Sequence, residues 1–112
     1  MKKTRLGELE ELVLLVVAAS TEEVYGVPVM EQLQLQTGRS FTVSAVHTTL
    51  YRLEEKGFLS SLVGGATTER GGRRKRLFAL TAEGGEVLLE IQQMRTRLWE
   101  AIPQGKLQLL GL

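Results

Sequence analysis

Apolar residues recur at helical spacing from the start of the chain: Leu6, Leu9, Leu12, Val13, Val16 and Val17, with Leu14 and Leu15 filling the gap between stripes. The pattern predicts a first helix that is polar at its start and apolar nearly all round in its second half. Such a helix is covered on more than one side, so it reads as a central core helix whose second face meets another subunit. Polar residues 20–23 end it, and Tyr25-Gly26 reads as a turn. Pro28 suits the first turn of a second helix, where a missing N–H costs nothing. Val29, Met30, Leu33 and Leu35 give that helix its apolar side, and Gly38 after Thr37 stops it as a C-terminal cap.

Thr42 caps a third helix. Its apolar positions Val43, Val46, Leu50 and Leu53, at spacings of three, four and three, form one narrow stripe. The opposite face carries Ser44, Thr48, Tyr51 and Glu55, flanked by His47 and Arg52, and Gly57 ends the helix. The period then becomes extended. Residues 58–63 and 76–80 are strand candidates, joined by a Gly-rich basic hairpin tip over residues 64–75. Thr81 caps a last helix. Its Val87, Ile91, Met94, Leu98 and Ala101 make a heptad seam, widened by Leu88, Trp99 and Ile102. Residues 82–102 would span roughly 30 Å. Gly84 and Gly85 weaken its first turn by about 1 kcal/mol each against Ala, and Pro103 ends it. Residues 104–112 form a short tail with no assignable structure.

The order of helix, helix, helix, strand, basic loop, strand, long helix reads as a mainly α, α+β fold. It is a winged helix-turn-helix over residues 1–80, followed by a dimerisation helix over 81–103 and a tail over 104–112. A chain of 112 residues fits one domain with a modest core, and a partner subunit would add to it.

Composition narrows the chemistry. There is no cysteine, which excludes disulfide and thiolate chemistry and suits a reducing cytoplasm. The longest apolar run, residues 12–19, is far shorter than the roughly 20 residues of a membrane span. Glu8, Glu10 and Glu11 interrupt any signal-like apolar region. The expectation is a soluble cytoplasmic chain with no cleaved leader and no membrane partner. His47 is the only histidine, and no acids are organised around it. Neither a metal cluster nor a nucleophile with its base can be assembled, and the hairpin lacks the phosphate-loop pattern. The chain therefore does not read as an enzyme, and no cofactor or metal is expected.

Net charge is only +1, so the placement of charge matters more than its sum. In a helix-turn-helix the second helix of the pair enters the major groove of double-stranded DNA. The hydroxyl-rich, aromatic face of the third helix suits that task through Ser44, His47, Thr48, Tyr51 and Arg52, with Glu55 as the one acid in line. Arg70, Arg73, Arg74, Lys75 and Arg76 place five of the 14 basic residues within seven positions on the hairpin. A wing there would touch flanking phosphates or a narrow minor groove. Acidic residues gather at Glu8 to Glu11, at Glu22-Glu23 and in the last helix.

The same residues carry a family resemblance. Leu6-Gly7-Glu8-Leu9-Glu10, Tyr25-Gly26, residues 46–57 from Val46-His47-Thr48 to Glu55-Lys56-Gly57, residues 69–76 and Leu80-Thr81-Ala82-Glu83-Gly84 together resemble the PadR-like regulators, the phenolic-acid-repressor family. The resemblance implies a transcription factor, often a repressor, that binds a palindromic operator as a homodimer. It implies that the last helix, through Val87, Ile91, Met94 and Leu98, dimerises with the partner's first and last helices, and that Tyr25 lies near the DNA backbone. The family commonly has Tyr where this chain has His47. The chain resembles the short subgroup with one helix after the wing, some members of which bind flat aromatic compounds between two tryptophans at the dimer interface. Trp99 is in the corresponding region. It reads either as a packing residue of the seam or as part of a site for a small aromatic effector. A winged-helix protein-interaction module without specific DNA binding is the other functional reading, and the basic wing argues against it.

Overall fold

The computed structural model describes residues 6–64 and 75–112. The elements run α1 (Glu8–Ala19), α2 (Gly26–Thr37), α3 (Val43–Glu55), β1 (Leu59–Val63), β2 (Arg76–Leu80), α4 (Ala82–Glu100) and a short α5 (Lys106–Leu109). Local chemistry sets most boundaries. Gly38 ends α2 in the left-handed region at φ 72°, a conformation with no Cβ penalty for glycine. The Thr42 hydroxyl accepts from Ala45 N at 3.0 Å to cap α3, and the Thr81 hydroxyl accepts from Gly84 N at 3.0 Å to cap α4. Gly57, at φ 87°, turns the chain out of α3 into β1.

One core joins these elements. Val13, Leu14 and Val17 of α1, Val29 and Leu33 of α2, and Val46, Leu50 and Leu53 of α3 are buried with Phe58, Leu59, Phe78 and Val87. β1 and β2 form a two-stranded antiparallel sheet in which Leu59 pairs with Leu80 and Val63 with Arg76. Val24 adds an antiparallel bridge to Phe78, with bonds of 3.0 Å and 2.7 Å in the two directions. The base of the hairpin is thereby fixed to the chain just before α2.

Several expectations change. Tyr25 and Gly26 do not form a turn: Tyr25 is extended (φ −118°, ψ 178°) and Gly26 opens α2. Leu35 belongs to no apolar side, being 72% exposed. It follows Leu33 by two positions, which on a helix turns it away from the core face. Val87, expected in the dimer seam, is 2% exposed and lies in the protomer's own core. Ile91, one helical turn on, packs half-buried against the same core. Met94 and Leu98, expected in the same seam, are exposed. Phe58 precedes the strand and enters the core.

Gly84 has a use that helix propensity does not show. A Cβ there would collide with the Phe58 carbonyl oxygen and come within 2.8 Å of Leu80 Cδ1. The glycine lets the first turn of α4 press onto the backbone between α3 and β1. The same seat is held by Thr81 N donating to Phe58 O at 3.2 Å and Thr81 Oγ1 donating to Gly57 O at 2.7 Å.

Beyond this seat α4 leaves the core. Leu89, Met94, Leu98 and Trp99 are exposed large apolar residues. The radius of gyration is 17.0 Å, against about 13 Å for a compact chain of this length. No helix among the described residues is long and apolar enough to cross a membrane.

Candidate DNA interface

α3 is an amphipathic helix with one buried side. Val46, Thr49, Leu50 and Leu53 face the core, and Thr49 satisfies its hydroxyl by donating to Ala45 O at 2.8 Å. The narrow stripe forces the remaining side chains outward. Ser44, His47, Thr48, Tyr51, Arg52 and Glu55 are all exposed, so the residues expected to read DNA share one outward surface.

The flanks of that surface differ. On the α2 side His47 lies against Gly26, where any Cβ would overlap the imidazole Nε2 and Cδ2. Gly26 is thus the seat of His47. On the opposite flank the Arg52 charge acts on Glu10 of α1. Tyr51 is 47% exposed and meets the Phe78 ring edge-on at 5.7 Å, so it is also a packing residue.

The hairpin approaches the same surface from β2. Lys75 Nζ stands 4.1 Å above the Tyr25 ring, an attraction between the ammonium and the ring quadrupole. Tyr25 and Lys75, far apart in sequence and both expected at the interface, are therefore one unit. The Arg76 guanidinium lies 5.8 Å from the Tyr51 ring centroid and donates to Ser61 Oγ at 3.0 Å. Ser61 Oγ in turn donates to Glu54 Oε2 at 2.7 Å. Arg70, Arg73 and Arg74 lie outside the described residues.

Other cations are neutralised away from this surface by the acidic first turn of α1. Arg39 pairs with Glu8 at 3.4 Å, Lys56 with Glu10 at 2.9 Å, and Arg95 with Glu11 at 2.8 Å. Burial alone would raise the Glu10 pKa. The Gly7 N–H and the Lys56 ammonium outweigh it and hold the carboxyl below its ordinary value. Hydrogen bonding to Glu11 raises the Arg95 pKa. Among the described residues Arg52, Lys75 and Arg76 form no ion pair. Arg97 of α4 and Lys106 of α5 likewise form no ion pair, so three of the five cations without one among the described residues lie on the α3 and wing side.

The roles of Gly26, Ser61 and Glu54 leave no signal in the sequence. Tyr25-Gly26 was visible as a dipeptide, but only packing explains why the second residue lacks a side chain. Ser61 carries no signal alone, since it depends on partners seven and fifteen positions away.

At the far end of α4, Trp99 is 66% exposed. With Gln92, Arg95, Thr96, Leu98 and Ile102 it lines an open cleft of about 520 Å³.

Comparison with curated proteins gives no match. A PadR-like transcription factor from Bacteroides fragilis superposes with a TM-score of 0.71 at 21% identity, over 84% of this chain and 85% of that one. A PadR family transcription regulator from Clostridium difficile gives a TM-score of 0.64 at 21% identity, over 86% and 94%. RosR of H. salinarum gives 0.67 at 19% identity, over 95% and 88%. At such identities these likenesses establish the fold. The sequence profile of the transcriptional regulator PadR-like family matches residues 13–90, more than half the chain and all of the helix-turn-helix and wing. The family is one of transcriptional regulators rather than enzymes, and this chain, with its winged helix and matched span, belongs to it.

Proposed function

We propose that this protein is a sequence-specific, double-stranded DNA-binding repressor that acts as a homodimer on a palindromic operator. α3 enters the major groove and presents Ser44, His47, Thr48, Tyr51 and Arg52 to bases and phosphates. Tyr25 and Lys75 contact the backbone at the root of the wing, and Arg70, Arg73 and Arg74 extend the contact along it.

The observation that carries this reading is the segregation of charge in a nearly neutral chain. The acids of α1 pair with Arg39, Lys56 and Arg95, whereas Arg52 on α3 and Lys75 and Arg76 at the root of the wing form no ion pair among the described residues. A docking module has no need of that division. The dimer is supported by the projecting α4, whose exposed Met94 and Leu98 continue the seam beyond the protomer's own core. The exposed Trp99 and its cleft, with the resemblance to short family members, support a flat aromatic effector as the signal that releases DNA.

Selection of bound duplexes from a random pool tests the reading. The expected result is an enriched palindrome whose half-sites lie about 34–36 Å apart, one helical turn. Recovery of no motif would leave the protein-docking alternative standing.

A further inference from the structure

We propose that Ser61 is a positioning residue that locks the wing to α3 through Glu54 and Arg76, and so sets how many phosphates the interface reaches. The proposal rests on the DNA reading above.

The physical need for a lock is clear from the hairpin. A two-stranded sheet is marginal by itself. Its base is secured by Leu59 and Phe78 in the core and by the bridge to Val24. Its outer half has no apolar anchor, because Leu62 is 54% and Val63 46% exposed, and Lys75 on the Tyr25 ring ties it only to the start of α2. The polar chain ties it to α3. Glu54 is on α3, Ser61 on β1 and Arg76 on β2, so three elements meet at one hydroxyl.

Hydrogen-bond directions make that hydroxyl specific. Its hydrogen goes to the Glu54 carboxylate at 2.7 Å, and its oxygen receives the Arg76 guanidinium at 3.0 Å. A hydroxyl has one donor and two acceptor positions. A carboxylate on one side and a cation on the other fix its rotor, and each bond strengthens the other. Glu54 and Arg76 form no direct ion pair among the described residues, so the serine is the link between them. The guanidinium so held lies against Tyr51, a residue of the outward face of α3. Wing angle and recognition helix are thereby coupled.

Ser61→Ala removes the link while leaving every charge in place. The salt dependence of duplex binding reports how many phosphates are neutralised, so any change in its slope reflects cations that have moved rather than cations removed. The test measures duplex affinity across salt concentrations for the wild type, Ser61→Ala and Ser61→Thr, with thermal unfolding and proton NOEs between the Tyr51 ring and the Arg76 side chain. Ser61→Ala is expected to bind about five- to tenfold more weakly at low salt, with a slope flatter by about 0.9 for each phosphate no longer neutralised. Its unfolding midpoint should stay within a few degrees of the wild type, and the NOEs should weaken. Ser61→Thr keeps the hydroxyl and should restore slope and NOEs. A wild-type slope and affinity in Ser61→Ala overturns the proposal, as does equal impairment in both variants. Absence of duplex binding by the wild type overturns the DNA reading together with this one, whereas normal wild-type binding with an unchanged Ser61→Ala slope overturns this one alone.

Discussion

Gly84 and Gly85 are adjacent in α4, and alanine at the two positions should have opposite effects. Helix propensity alone predicts that either change stabilises by about 1 kcal/mol. At Gly85 nothing opposes that gain, since the added methyl meets only Leu80 Cδ2 at 3.9 Å. At Gly84 the methyl collides with the Phe58 carbonyl oxygen and approaches Phe58 C to 3.1 Å. A carbon needs roughly 3.3 Å from a carbonyl oxygen, so α4 must retreat by about 1 Å. Backbone cannot turn aside as a side chain can. The retreat stretches the bonds from Thr81 to Phe58 O and Gly57 O, now 3.2 Å and 2.7 Å. Overpacking costs about 1–3 kcal/mol, and weakening the two bonds adds about 1 kcal/mol. Against the propensity gain, Gly84→Ala should destabilise by about 2 kcal/mol. For a chain of this size each kcal/mol moves the midpoint by about 4–8 °C. Thermal unfolding followed by far-ultraviolet circular dichroism, at one fixed protein concentration because the proposed dimer would unfold in a concentration-dependent way, should show a fall of about 10 °C for Gly84→Ala and a rise for Gly85→Ala. If Gly84→Ala matched or exceeded the wild type, the tight seat of α4 on Phe58 would be refuted.

Three further outcomes are expected. Gly26→Ala should fold with a stability change within about 1 kcal/mol, because the His47 ring can rotate away. It should shift base preference at the position His47 faces, read by competition among duplex variants; unchanged preference would remove His47 from base reading. The lowered Glu10 pKa stabilises the fold above the ordinary glutamate range, and that contribution is lost as pH falls through the folded value. Glu10→Gln should therefore be less stable than the wild type by about 1 kcal/mol at neutral pH, with the gap closing in acid, as measured by urea unfolding across pH. Met94→Asp with Leu98→Asp should yield monomers in sedimentation velocity, whereas a surviving dimer would place the subunit contact elsewhere.

What could be read from sequence was whatever leaves a period or a local chemical signature. Thr42, Thr81 and Gly38 mark their helix ends because caps act within three or four residues. The stripe of Val46, Leu50 and Leu53 identifies the buried side of α3, and hence its outward side, from spacing alone. β2 runs over Arg76–Leu80, as its pattern suggests. Features that depend on distant partners left no such trace. The bridge of Val24 to Phe78 is a single pair without a repeat. Val87 matches the heptad spacing of Met94 and Leu98, yet the seat at Gly84 turns the start of α4 into the core, so the stripe is buried at one end and exposed at the other. The pairing of Glu10 with Lys56 and of Glu11 with Arg95 spans 46 and 84 positions. Sequence showed the segregation of charge, and only the fold shows which acids neutralise which bases. The short α5 follows Gly105 at φ 83° and has no buried residue, so no apolar period announced it.

In the proposed complex α3 and the wing form one surface that binds duplex DNA. The most direct test is the equilibrium constant for a selected palindromic duplex and an unrelated duplex, measured across salt concentration. Steep log–log lines are expected for both, with a slope near −0.9 for each phosphate neutralised, and tighter binding of the palindrome throughout. A flat line, or equal affinity for the two duplexes at every salt concentration, would contradict the claim.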